Sequence, residues 1–338
     1  MEFLELKGTH YEIGYSHGKA KKKEINLLLK KYNHITKDRT LFPKIINFFL
    51  PYFTHFGKHL ITEIEGIAEG SEKSFEEILF LNCRHDYNDL VNNCTSFVIS
   101  PDLTSDFIPI GGQNKDNTSL DSGKKLFIIK IINKENGSIL GITYPGEIGP
   151  IGIGQKGVAV FGNSIYPKKT FPGAPHNLCR RVFLECSSVK ECEYLLKEIG
   201  EFSAGSYTLI DRKEEIASFE VFGNNYGKIN PESGIIVHAN HILHPELKEY
   251  EEYRYKKDSL IRQRRLKKLL KSKSGFLTIK DCMEFLRDHG NTPYSICKHG
   301  LEESENHTVF SLIADMKNAI IYACKGYPCK NKFKKYNF

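Results

Sequence analysis

Cys94 stands in the run Asn93-Cys94-Thr95-Ser96-Phe97-Val98-Ile99, a thiol opening a β-type stretch well inside the chain. A thiolate attacks carbonyl carbon, so a cysteine held at the head of a strand is a candidate nucleophile for acyl transfer or amide cleavage. A second motif, Gly111-Gly112-Gln113-Asn114-Lys115-Asp116, follows at a distance that suits the next strand of a hairpin. Together they read as a nucleophile on one strand and its polar support on the neighbour. Small polar runs around cysteine are common, and the weight of this pair depends on what else lines up with it.

The elements that must position these residues fall into two halves. Up to about residue 93 the pattern is helical, after a short strand at Phe3–Lys7 and with Thr9 placed as an N-cap. Leu60, Ile61, Ile64, Ile67 and Ala68 recur at helical spacing, and Ser74 with Glu77 forms a capping box. Residues 38–58, with Pro43 and Pro51, predict a broken helical insertion. After Cys94, runs 126–132 and 138–144 are joined through Asn136-Gly137, a hairpin signal. Further strands are expected at 157–161, 207–210, 216–221, 235–239, 307–314 and 319–324. Helices are expected at 177–186, 189–199 and 247–270 and after Thr278. Strands in series with helices grouped between them imply an α+β domain of antiparallel sheets covered by helices.

The totals exclude several classes. A net charge of +7 comes from scattered lysine, which reads as a solvated surface and not as a nucleic-acid footprint. The densest basic run, residues 262–268, reads as the basic face of an amphipathic helix. Nine cysteines, an odd number, make no disulfide framework. The acidic start Met1–Glu5 is no signal peptide, and the apolar patch 46–53 is too short for a bilayer. A cytoplasmic chain with free thiols, no membrane partner and no cofactor is expected. Cysteine spacings 324/329 and 186/192 have no matching second pair, so no metal site is expected.

Several blocks in fixed order resemble a known family. They are Gly8–Gly18, Ile64–Gly70, Leu81–Arg84, Gly112–Asp116, Val237–His241, Asp258–Arg262, Tyr294–Lys298 and the ending from His307 to Pro328. Their joint order and spacing argue against chance. The chain resembles the isopenicillin N acyltransferase (acyl-CoA:6-aminopenicillanate acyltransferase) family of N-terminal-nucleophile hydrolases. The resemblance implies a four-layer αββα sandwich and a precursor that cuts itself between Asn93 and Cys94. An α fragment, 1–93, and a β fragment, 94–338, would then remain associated.

Such a cut frees an α-amine on the residue that carries the thiol. Their reference pKa values, ~8 and ~8.5, let either be tuned to work near neutrality, so one residue supplies nucleophile and base. Asn240 alone reads as a cap at a strand end or turn; the resemblance makes it the oxyanion-hole asparagine, a donor type worth ~2.7–4 kcal/mol. Asp116 matches an active-site acid that would orient the Cys94 amine, and equally reads as an Asx-turn residue over 116–119. His238 lies two before Asn240, on the same face if the strand continues, as a pocket residue or a hydrogen-bonded buried histidine. Lys298 stands where the family usually has arginine and would grip a substrate carboxylate as a point charge. Asn93 stands where the penicillin enzyme has glycine, which predicts slower self-cleavage. Arg84 reads as a tie on the segment before the nucleophile or as a surface charge. The glycines of 146–150 read as pocket shape.

The expected activity is an autoproteolytic cysteine hydrolase or acyltransferase acting on an amide or thioester of a small N-acyl compound, with acyl-CoA a possible donor. The alternative is an uncleaved, catalytically degenerate family member acting as a small-molecule binding module. A papain-like protease is disfavoured, because no cysteine has that family's local signature.

Overall fold

The computed structural model describes the chain except residues 88–92, 118–124, 170, 172, 253–255 and 301–305. Among the described residues two sheets stack face to face. The first runs in the order β1 (Glu2–Lys7), β4 (Phe127–Ile132), β5 (Ile139–Thr143), β6 (Ile151–Gly154), β7 (Val158–Asn163), β8 (Phe202–Asp211), β9 (Ile216–Gly223), β10 (Asn225–Ile229). The second runs β11 (Ile235–His238), β2 (Cys94–Ile99), β3 (Ile110–Asn117), β12 (His307–Asp315), β13 (Ile320–Lys325), β14 (Lys334–Asn337). Pairing is antiparallel apart from β1, which lies parallel to β4.

Side chains alternate between faces along a strand, and three of the buried cores among the described residues lie between these layers. On β4, Phe127, Ile129 and Ile131 face one way and Ile128 the other. The first set packs on α1 (His10–Ala20), α2 (Lys22–Lys30), α3 (Asn33–Thr36), α4 (Leu41–Phe56), α5 (Lys58–Ser71), α6 (Phe75–Tyr87), α7 (His176–Leu184) and α8 (Val189–Ile199). Ile128 joins Val98, Phe161 and Leu312 between the sheets. Phe97, Ile99 and Ile313 leave the far side of the second sheet and pack on α9 (Lys256–Ser272) and α10 (Ile279–Leu286). The order helix, sheet, sheet, helix is the four-layer αββα sandwich.

Two of the glycine-bearing blocks before Cys94 turn out to be one helix crossing. A Cβ on Gly14 of α1 would lie 2.0 Å from the Glu63 carbonyl of α5, and one on Gly66 would lie 2.3 Å from that of Tyr11. Backbones this close admit only glycine. The caps at Thr9 and Thr278 are present as reciprocal boxes, and Ser74 with Glu77 bonds in both directions.

Three expectations change. Residues 41–56 form one continuous helix: Pro43 sits in its first turn, and burial of Ile45, Ile46, Phe49 and Phe53 offsets the hydrogen bond lost at Pro51. The stretch 247–270 is not one helix, since Pro245–Tyr250 is a 3₁₀ turn and α9 begins at Lys256. The Asn136-Gly137 link is wider than a two-residue turn, because Asn133 Oδ1 accepts from the backbone of Glu135 and Asn136. No helix among the described residues is long and apolar enough to cross a membrane.

Candidate active site

Cys94 is the first residue of β2, a central strand, and is fully buried. Its cross-strand partner on β3 is Lys115. Ser96 and Val98 point between the sheets, where Ser96 Oγ bonds Asn163 Oδ1 at 2.7 Å. Alternation turns Cys94 to that face, while Thr95 and Phe97 turn toward α9.

The peptide bond before Cys94 is held at both ends. The Asp116 N–H donates to the Asn93 carbonyl at 2.7 Å, and the Cys94 N–H donates to Asn240 Oδ1 at 2.9 Å. The next carbonyl, that of Cys94, accepts from Arg262 Nη1 at 2.5 Å. The same guanidinium reaches Thr95 Oγ1 at 2.6 Å, Asn240 Oδ1 at 2.9 Å and Asp258 Oδ1 at 2.7 Å. Arg262 is thus the hub of the site, fully buried and not on a basic face. The buried stripe of α9, Ser259, Arg262, Leu266 and Leu270, recurs at three- and four-residue steps. That spacing was the available signal; the surrounding Arg264 and Lys268, both exposed, obscured it.

Asp258 gathers the cations. Its Oδ2 accepts from Lys298 Nζ at 2.5 Å and from Asn93 Nδ2 at 3.2 Å. Burial would raise its pKa, but Arg262 and Lys298 beside it hold it below the usual carboxylate range. Asp116 is treated differently. Oδ1 accepts from Thr308 Oγ1 at 2.8 Å, and Oδ2 has no hydrogen-bond partner among the described residues. Burial pushes its pKa up to about 6 against the pull of Arg262 and Lys298. Its even-numbered neighbour Asn114 donates to the carbonyls of Leu286, at the end of α10, and Ile296, so Asp116 lies on the α10 side of the sheet, opposite the Cys94 thiol. An Asx turn over 116–119 would include residues 118 and 119, which lie outside the described residues; Asp116 itself is in β3.

The other expected residues are distributed as follows. β11 ends at His238, so the shared face with Asn240 lapses. The His238 ring pairs with Glu220 at 2.8 Å and with the Ala239 carbonyl at 2.9 Å, away from the cavity walls. Asn240 Nδ2, the expected oxyanion donor, is bonded to the Ser164 carbonyl at 2.8 Å in the uncut chain. Arg84 is buried, paired with Glu147 at 2.5 Å. Glu147 is held down to about 2, because Arg84 and His85 outweigh its burial.

A cavity of about 350 Å³ opens between the sheets beside this network. Leu126, Ile142, Ile151 and Phe310 give it an apolar wall, and Lys115, Asn163, Ser164 and Glu147 a polar one. Lys115 is the cross-strand neighbour of Cys94, and Asn163 the partner of Ser96. The volume suits a small molecule with an acyl chain and a polar head.

A family model described as acyl-coenzyme A:6-aminopenicillanic acid acyl-transferase matches residues 106–330, a span holding Asp116, Asn240, Asp258, Arg262 and Lys298. The acyl-coenzyme A:6-aminopenicillanic-acid-acyltransferase 40 kDa form of Emericella nidulans is 28% identical over 330 residues, 93% of this chain and 90% of that protein. Among solved structures, a variant of conjugated bile acid hydrolase from Clostridium perfringens superposes with a TM-score of 0.45 at 16% identity, covering 72% of this chain and 97% of that one. Penicillin V acylase from Agrobacterium tumefaciens gives 0.41 at 12% identity, covering 69% and 83%.

Proposed function

The chain belongs to the acyl-coenzyme A:6-aminopenicillanic acid acyl-transferase family, and we propose that it is a self-cleaving cysteine amide hydrolase or acyltransferase. The observation that carries this reading is the clamp on the Asn93–Cys94 peptide. Asp116 N–H polarises the carbonyl to be attacked, and Asn240 and Arg262 fix the residue that carries the thiol. In the first step Cys94 Sγ bonds to the Asn93 carbonyl carbon, the C–N bond breaks, and the thiol proton ends on the Cys94 nitrogen. Water then hydrolyses the thioester, leaving Asn93 as a carboxylate and Cys94 with a free thiol and a free amine.

Turnover uses the products of that cut. The α-amine takes the thiol proton as Sγ attacks the amide or thioester of a small N-acyl substrate in the cavity. The amine then protonates the leaving group, and water or an amine acceptor takes the acyl group from sulfur. Asp116 Oδ2, unpartnered before the cut, is the acceptor for the new ammonium. Departure of the Asn93 carbonyl releases the Asp116 N–H, and exchange of the Ser164 bond turns Asn240 Nδ2 toward the oxyanion. Lys298, held on Asp258 at the α9 side of the site and outside the cavity lining, is the charge that would orient a carboxylate head reaching past the cavity; Arg262 is committed to the backbone and to Asn240. The apolar wall favours an acyl chain, from an N-acyl amine or from acyl-CoA as donor. His238 serves the site as packing, through Glu220.

Mass spectrometry of the purified chain tests the reading. The expected result is two co-purifying fragments of 93 and 245 residues, with Cys94→Ala remaining whole. A wild-type chain that stays intact yet turns over N-acyl substrates at full rate would overturn it. Binding of such a substrate without turnover would favour the binding-module alternative.

A further inference from the structure

On the outer side of the second sheet, two connections meet. One is the loop from α10 to β12, carrying His289, Cys297 and His299; the other is the turn from β13 to β14, carrying Cys329. One ligand-capable atom of each residue lies within 4.8 Å of all the others. His299 Nε2 is 3.1 Å from His289 Nε2, 3.2 Å from Cys329 Sγ and 3.7 Å from Cys297 Sγ. A ring nitrogen carries either one proton or one lone pair, so it cannot satisfy three such neighbours by hydrogen bonding. A cation at their common centre satisfies all four atoms at once.

We propose that these two histidines and two cysteines form a closed structural zinc site. Zinc with bonds of about 2.0–2.1 Å to nitrogen and about 2.3 Å to sulfur needs tetrahedral edges of about 3.3–3.8 Å. Of the three separations from His299, 3.7 Å falls inside that range, and 3.1 and 3.2 Å fall 0.1–0.2 Å short of it. Two thiolates and two imidazoles are also the donor set zinc prefers over harder divalent ions. Binding displaces the two thiol protons to solvent, and four protein ligands leave no position for water or substrate.

The surroundings hold the ligands in place. The His299 ring stacks on Tyr327 at 4.1 Å, with 6° between planes. Cys297 N–H donates to the Asp288 carbonyl, and Arg265 of α9 forks onto the Asp288 carboxylate at 3.0 and 2.6 Å. Arg287 Nε donates to the Pro328 carbonyl at 2.9 Å, drawing the Cys329 turn against the end of α10. Lys298 sits between two of the ligands, and its N–H donates to Thr308 Oγ1, the group that bonds Asp116. The metal would therefore fix the loop from which Lys298 reaches Asp258. It is a positioning element for that lysine and not part of the reacting group. Neither its presence nor its ligands depend on the proposed cleavage.

Elemental analysis of the full chain, grown with zinc and purified without chelator, reads the site directly. We expect about one zinc per chain. The chelator-stripped chain titrated with cobalt(II) should show thiolate charge transfer and the strong visible bands of tetrahedral coordination. Removing one ligand in Cys329→Ala should weaken metal retention at least about ten-fold. Stripping should also lower the unfolding temperature of the wild-type chain. A folded wild-type chain with only trace zinc and no cobalt–thiolate band would overturn the proposal, as would a Cys297–Cys329 disulfide in the unreduced peptide map. The cobalt spectrum of the wild type keeps the test decisive if the variant fails to fold.

Discussion

Two of the buried charged networks among the described residues are built to opposite ends. In the first helical layer Glu63 receives Arg181 Nη1 and Nη2 at 2.9 and 2.8 Å, with His10 Nδ1 at 3.0 Å. Arg181 Nε bonds Glu185 at 2.7 Å, and His59 closes the other side of Glu185 at 2.8 Å. Burial would raise Glu63, but Arg181 and His10 hold it down to about 2. Beside Cys94 there are again two cations, yet Asp258 takes hydrogen bonds from both, and Asp116 keeps an oxygen with none. Burial alone does not distinguish the two. What differs is whether each carboxylate oxygen has a cation within bonding distance. The closed network braces helices; the open one leaves an acceptor for the ammonium of the proposed mechanism.

Cutting the hub of each network gives the largest contrast. Arg181→Leu leaves Glu63 and Glu185 buried without their counter-charge and should cost about 3–5 kcal/mol in stability. The molecules that fold should still divide before Cys94. Arg262→Leu should cost a comparable stability and also slow self-cleavage by about a hundred-fold or more, since the Cys94 carbonyl and Asn240 both lose their donor. Denaturation curves and the time course of the two fragments separate these effects. A folded Arg181 variant that cannot cut, or an Arg262 variant that cuts normally, would erase the distinction.

The closed half of this comparison was less legible in the sequence than the open half. Cys94, Asp116 and Asn240 belong to short ordered strings, and the β2–β3 hairpin is a local relation, so the chain order carries them. The caps at Thr9 and Ser74 were legible for the same reason: each involves residues three apart. Arg262 was hidden by composition, since Arg264, Arg265, Lys267 and Lys268 follow it closely and only its step to Leu266 and Leu270 marks the inward face. Pro51 misled because a local rule about helix breaking was outweighed by tertiary burial of Ile45, Phe49 and Phe53. The His289, Cys297, His299 and Cys329 cluster escaped a search for paired cysteine spacings. Its ligands come from two loops that meet only when β13 and β12 pair.

Acid should move Asp116 and the lowered buried glutamates in opposite directions. The folded pKa of Asp116, about 6, lies above its ordinary 3.8, so the native uncut chain holds a proton that the unfolded chain has released. Its contribution is fully present below pH 4 and is lost as pH rises through 6, by at most about 3 kcal/mol. Glu63 and Glu147, held down to about 2, contribute above pH 4.5 and lose that contribution as pH falls toward 2. Cys94→Ala, which stays uncut, is the molecule in which to measure this by thermal unfolding. Adding Asp116→Asn should stabilise it at pH 7 and remove only the slope between pH 4 and 6. The same change in the cutting chain should abolish turnover, because the new ammonium loses its counter-charge. An unchanged slope in the double variant would mean that another group carries the buried proton.

The smallest effect is expected at the rim of the open network. Among the described residues Lys298 Nζ has one hydrogen-bond partner, Asp258 Oδ2, and both side chains are partly solvated. Replacing it with arginine keeps the charge, so Asp258 stays ionised and Arg262 keeps its geometry. Self-cleavage should change by less than about two-fold. A guanidinium adds a second parallel donor, which a substrate carboxylate can accept as a fork and a lysine cannot offer. KM for carboxylate-bearing N-acyl substrates should therefore fall by about five-fold, near 1 kcal/mol, with kcat unmoved and neutral N-acyl amines unaffected. A loss of kcat in Lys298→Arg would instead place Lys298 with Arg262 at the reacting atoms, and the boundary drawn between orienting charge and chemistry would have to move inward.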